Sequence, residues 1–202
     1  MTDTKVSYFC LIASSIALLL GDVLQVIDHD ALHWTICLAI SFLLFIGGIP
    51  AINSLMGQTS VMFRVLINCS LLLGALAGAS MQVLFRTNII LKKANATKAI
   101  EALSQSSTLA LSTMVPGIFY PIGLILVSIT LFLLKEYMTW KVMLLLIGAL
   151  LFPVGHALGN PVALLVGDFM LFCAWFFLKP ITFNNFNETT ANPVGSLTAC
   201  KQ

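Results

Sequence analysis

Charge is what this sequence has least of. Only 9% of its 202 residues are Asp, Glu, Lys or Arg, while 59% are apolar and the mean hydropathy is +1.00. Soluble domains carry roughly 25% charged residues to keep a polar skin around the core. The shortage excludes an ordinary soluble fold and predicts an integral membrane protein with no soluble domain. The formal net charge is +2 and no basic cluster exceeds Lys92-Lys93, so no nucleic-acid partner is expected. No CxxC pair occurs among the cysteines. Cys10, Cys37, Cys69 and Cys173 lie inside apolar runs and Cys200 in the polar tail, which predicts free thiols, no structural zinc and no cofactor. No small-residue cleavage site follows the first apolar run, and Asp22 interrupts it, so that run is read as the first span rather than a signal peptide.

What is present is a succession of apolar segments of spanning length. They fall at about 6–27, 33–52, 62–85, 109–134, 142–158 and 161–178, followed by a polar tail over 179–202 that is expected to be disordered. The fold class expected is all-α: a polytopic bundle of six transmembrane helices, with the lipid bilayer as its first partner. Residues 148–175 set the pattern, two apolar runs joined through Gly159-Asn160-Pro161. Gly and Asn suit a helix C-terminus and Pro the first turn of the next helix, so this reads as a tight helical hairpin.

Polar residues inside the spans are few and patterned. Ser15, Asp22, Gln25 and His29 are spaced by seven, three and four, which places them on one helical face. Ser70, Gly74, Gly78 and Gln82 recur every fourth residue in span three. Small residues at that spacing let two helices approach closely, within the chain or in a homo-oligomer through span three. Pro116, Gly117 and Pro121 should kink or break span four, because proline removes a helical hydrogen bond. The connection 86–108 carries Arg86, Lys92, Lys93, Lys98 and Glu101, with Ile89, Ala96, Ile100 and Leu103 at roughly helical spacing. It reads as an amphipathic surface helix or a solvated loop. Trp34, Trp140, Trp175, Tyr8 and Tyr137 all fall near span ends, where aromatic side chains anchor to the interface.

An even number of spans puts both termini on one side. Lys5, Arg64, Lys135, Lys141, Lys179 and Lys201 lie on that side, against Arg86, Lys92, Lys93 and Lys98 on the other. The balance favours cytoplasmic termini in the cell membrane by the positive-inside rule.

Topology then assembles a constellation. Asp22 and Asp168 both lie roughly 7–11 Å below the surface opposite the termini, at about 1.5 Å per residue. His29, His156 and Gln82 belong to the same half of the membrane. The segments Ala17–Asp22 and Ala163–Asp168 also echo one another, on spans of opposite direction; this is either a trace of an inverted repeat or a chance match between leucine-rich helices, since neither flank extends it.

Three functional readings follow. Asp22, Gln25, Gln82, His156 and Asp168 could line a half-membrane cavity that binds a small solute or cation and exchanges protons. His29, Asp22, His156 and Asp168 could instead hold a metal in a membrane hydrolase, although no HExxH spacing supports it. The plain alternative is a structural or assembly subunit, in which the same groups merely join helices. A lone histidine near an interface needs no special role. A carboxyl group at span centre costs ~2.5–3.5 kcal/mol on insertion scales; both aspartates lie off-centre, where the cost is lower, and what remains of it favours a functional role for them. Gly21-Asp22 and Gly148-Ala149-Leu150-Leu151-Phe152 are similar to segments of lysoplasmalogenase-like membrane hydrolases. That resemblance would imply eight spans and a second acidic residue near Gly155. This chain counts six spans and carries its second acid at Asp168, so the likeness is not taken as membership.

Overall fold

The structure, a computed structural model, describes residues 2–28, 32–57, 59–106 and 115–178. Its helices are α1 (Thr2–Ile27), α2 (His33–Leu55), α3 (Val61–Lys93), α4 (Thr97–Ser104), α5 (Phe119–Leu134), α6 (Thr139–Leu158) and α7 (Pro161–Phe177). No strand occurs among the described residues. Among the described residues five helical segments are long and apolar enough to cross a membrane, one of them running from Val115 through α5 to Leu134, and α7 is a shorter apolar helix of 17 residues. The chain is thus an all-α polytopic membrane bundle. His29, the start of span four over 107–114 and the tail over 179–202 lie outside the described residues.

The spanning helices pack in chain order as a closed ring: α1 on α2, α2 on α3, α3 on α5, α5 on α6, α6 on α7, and α7 back on α1. Buried Trp34, Phe45, Leu124, Leu131, Leu145 and Trp175 help fill its interior. Phe9, Leu43, Met62, Leu73, Leu133 and Phe169 project from its outer surface. Apolar side chains on the outside are what a lipid-facing surface requires, since hydrocarbon replaces water there.

Small residues set how closely neighbours approach. Gly21 lies against Leu38, and Gly48 against Leu11, so α1 and α2 are drawn together twice. Ser41 Oγ donates to the Ser14 carbonyl at 2.8 Å across the same contact. A Cβ on Gly74 would run into the backbone of Tyr120, and one on Gly78 into the ring of Phe42. With Ser70 also buried, the small-residue face of span three is filled within the chain by α5 and α2. Any contact between copies through this helix must use its outer face, where Leu72, Leu73 and Leu76 are exposed.

The ring closes at the α1–α7 seam, where the Tyr8 hydroxyl donates to the carbonyls of Trp175 at 3.0 Å and Phe176 at 3.1 Å. Tyr8, Trp34 and Trp175, expected at the membrane interface, are 8%, 2% and 1% exposed. They sit near helix ends but point into the ring, filling the space that opens where the helices splay. Trp140 is the one that stays outside, against Phe177 and Lys141.

The α6–α7 hairpin forms as its residues dictate. Gly159 takes φ +58, the left-handed conformation that ends a helix without a Cβ clash. The Asn160 side chain accepts from Val162 N and Ala163 N at 3.0 and 3.2 Å, capping α7 behind Pro161.

Two boundaries differ from expectation. Span three was expected to end near Phe85, but α3 continues to Lys93 and reaches 33 residues, about 50 Å. Hydropathy marks where the hydrocarbon ends, not the helix. Residues 86–93 hold no Gly or Pro, and Lys92 and Lys93 suit the negative end of the helix dipole. After a turn with Asn95 at φ 54, α4 forms the short amphipathic helix, with Ile100 and Leu103 half-buried. The interruption expected in span four is slight: residues 115–117 are helical, Ile118 keeps helical dihedrals of φ −63 and ψ −26, and the helix runs on from Val115 through α5. Pro121 cannot donate to the Gly117 carbonyl, so the ladder is open there.

Gly74→Ala should lower stability by roughly 1–3 kcal/mol through overpacking against rigid backbone. Gly57→Ala, whose Cβ would stand 3.6 Å from the Ser54 carbonyl oxygen, should be near neutral. Thermal unfolding of the two variants in one detergent checks the difference, and equal melting temperatures would contradict the α3–α5 contact.

Candidate binding site

At the end of the ring opposite the termini the helices part and leave two adjoining cavities. One, of about 420 Å³, is lined by Gln25, Trp34, Gln82, Phe85, His156 and Asn160 among others. The second, of about 380 Å³, lies between α3, α5 and α6, and its lining includes Phe42, Met81, Tyr120, Pro121 and Phe152. Gln82, Phe85 and His156 border both. The first is the more polar; the second is walled almost entirely by apolar atoms and rings. Ring closure brings α1 and α7 together here. The second cavity lies beside the Gly74–Tyr120 crossing of α3 and α5.

The carboxyl groups of Asp22 and Asp168 do not line either cavity. Both residues are 0% exposed. Asp22 lies three residues before Gln25 on α1, and Asp168 four residues after Leu164 on α7, so each is about one 5.4 Å turn deeper than the lining. The two side chains meet across the α1–α7 seam within hydrogen-bonding reach of each other. Among the described residues no other group donates to any of their four oxygens. A carboxylate has no hydrogen to donate, so a hydrogen bond between two carboxyl groups requires a proton held between them.

Two groups sit close to the pair. His156 is near enough to act on the charge of Asp22, and Asp168 lies within electrostatic range of the Tyr120 hydroxyl. The His156 side chain is exposed at the cavity, with its ring 4.5 Å from that of Phe152. His156 Nδ1 stands 3.0 Å from the Phe152 carbonyl. A carbonyl only accepts, so this contact calls for a proton on Nδ1, and in the neutral ring Nε2 is then the acceptor. Gln82 is 6% exposed, and its Oε1 has no hydrogen-bond partner.

Of the residues named from sequence, Gln25, Gln82 and His156 reach the cavity wall, while Asp22 and Asp168 form the sealed pair beneath it. Among the described residues no group of three or more His, Cys, Asp or Glu side chains stands close enough to hold a metal. His29, the remaining member of the metal-binding set, lies outside those residues. Arg86 is exposed and borders neither cavity. Arg64 and Asn68 sit at the opposite end of α3.

Sequence reasoning missed the aromatic wall. Tyr120 is 4% exposed and meets Phe42, Phe45 and Phe152 edge-on, at centroid distances of 5.4, 5.0 and 5.6 Å. Trp34 pairs with Phe85 at 6.0 Å. Tyr120 directly follows a predicted helix break and precedes Pro121; an aromatic beside a broken backbone was the available signal.

Cysteine labelling tests the cavity. In a cysteine-free background, a water-soluble maleimide should modify His156→Cys in folded protein. It should leave Ser128→Cys, 1% exposed in the ring interior, untouched until denaturation. Equal rates at both positions would mean that the cavity does not exist as described.

Compared with known protein families, curated proteins and solved structures, this chain matches none of them.

Proposed function

We propose that this integral membrane protein binds a small solute or cation through the cavity opposite its termini and couples that binding to proton exchange at the Asp22–Asp168 pair. The observation that carries the reading is the pair itself. Two carboxyl groups face each other in a fully buried seam, with no other donor among the described residues. Joining helices is done better by Asn or Gln, which hydrogen-bond without an ionisable proton. Two carboxyl groups are the choice that makes a protonation state matter.

The cavity supplies the route. A ligand entering past Gln25, Gln82 and His156 would arrive one helical turn from the pair. Ligand charge there acts across low dielectric and competes with the shared proton. His156 stands between the pair and the cavity mouth, with Nε2 able to take that proton and pass it to water. The lysine and arginine balance supports cytoplasmic termini, and with that orientation the cavity faces outward. A metal-assisted hydrolase would need His29 to complete its ligand set; no observation favours it over the carboxyl pair.

The test is the pH dependence of thermal stability in detergent. Removing the shared proton leaves two like charges in contact, so wild-type stability should fall as pH rises through the titration of the pair. Asp22→Asn should retain a hydrogen bond to Asp168, because its amide donates, and should flatten that fall. The double variant Asp22→Asn/Asp168→Asn should show no such transition, and the two single substitutions should be non-additive by at least ~0.5 kcal/mol. Additive variants with the wild-type pH profile would remove the proton-coupled reading.

A further inference from the structure

We infer that the ligand of this cavity is a lipophilic cation, an ammonium or similar onium group carried on an aromatic or branched apolar body. This names the ligand class for the proton-coupled site proposed above and rests on that reading.

Four observations converge. First, the unsatisfied polar atoms in and beneath the cavity are all oxygens: Gln82 Oε1 and the four carboxyl oxygens of Asp22 and Asp168. Amide and indole N–H groups of Gln25, Gln82, Asn160 and Trp34 also line the cavity, but what is buried without a partner is acceptor oxygen, which a positive charge can satisfy. Second, no Lys or Arg appears among the described residues lining either cavity, so an anionic group would find no counter-charge there. Third, the walls carry Trp34, Phe42, Phe85, Tyr120 and Phe152. Aromatic faces attract a desolvated cation and also accept an apolar body. Fourth, the second cavity opens between α3 and α5, where a Cβ on Gly117 would meet nothing within 4 Å. Space there leaves room for the apolar body of the ligand.

The exchange balances simply. When a permanent cation settles above the pair, one carboxyl O–H bond breaks and its proton leaves to water. The pair, which carried one negative charge while it shared the proton, then carries two; the cation adds one positive charge beside them, so the site keeps the same net charge and the repulsion between the carboxylates is offset. The titratable groups facing the pair are His156 from α6 and Tyr120 from α5; α2 and α3 contribute none to the described lining.

Tetraphenylphosphonium and tetraphenylborate provide the test, since they share size and shape and differ in the sign of charge. Binding of each to the full chain in nanodiscs of zwitterionic lipid is measured by equilibrium dialysis, with empty discs subtracted. A pH electrode in weakly buffered solution follows proton release. Tetraphenylphosphonium should bind and release protons that can come only from the protein, because the probe has none to give. Tetraphenylborate should bind at least roughly tenfold more weakly. Asp22→Asn/Asp168→Asn should reduce phosphonium affinity by a similar factor and abolish proton release. Phe85→Ala, which leaves the pair intact, should weaken binding but keep the release.

Equal or tighter binding of tetraphenylborate to the wild type overturns the proposal without reference to any variant. Phosphonium binding unaffected by the double substitution overturns it as well. If the cation fails to bind while the pH-dependent stability of the pair persists, only the ligand class falls. If both fail, the proton-coupled reading falls with it.

Discussion

In a bilayer no hydrophobic force draws one apolar helix to another, so the spacing between helices must come from shape. In this ring that spacing is set by small residues against defined partners: Gly21 on Leu38, Gly48 on Leu11, Gly74 on Tyr120 and Gly167 on Leu151. Close approach on one side fixes separation on the other. Where α3 and α5 meet at Gly74, Tyr120 is driven into the interior with Phe42, Phe45 and Phe152 around it. Beyond that crossing the same two helices diverge and the second cavity opens. The site is therefore a by-product of where the glycines lie, as much as of which polar groups line it.

The terminal hairpins use the repeated Gly-Asp pair in matching ways. Gly21 seats α1 against α2, and Gly167 seats α7 against α6. The aspartate that follows each glycine is turned out of its own hairpin and toward the other. The sequence echo of Ala17–Asp22 and Ala163–Asp168 thus corresponds to equivalent positions in two hairpins that face each other across the seam.

Composition and hydropathy made the fold class legible, because lipid admits so few architectures. Depth was legible as well: counting residues from the ends of two spans placed Asp22 and Asp168 in the same half of the membrane. Their contact was not, since it depends on α7 closing against α1, and no local pattern specifies which spans become neighbours. Trp34 and Trp175 misled for a related reason. Position along a helix tells how near a residue is to the interface, whereas rotation about the axis tells whether it faces lipid or protein, and a uniformly apolar helix carries little periodic signal for rotation. Helical continuation from Arg86 to Lys93 escaped because polarity was read as the end of structure.

The seam between first and last spans has a bearing on how the protein is made. Asp22 and Asp168 are separated by 146 residues of chain (168 minus 22), and translation proceeds at about 5–20 residues per second. Asp22 accordingly waits about 7–30 seconds in or beside the membrane before its partner has been synthesised. Throughout that interval the ring is an open arc, and α1 and α2 must persist as a pair held by Gly21, Gly48 and the Ser14–Ser41 contact. The helix that completes the circle is also the one that delivers the second carboxyl group.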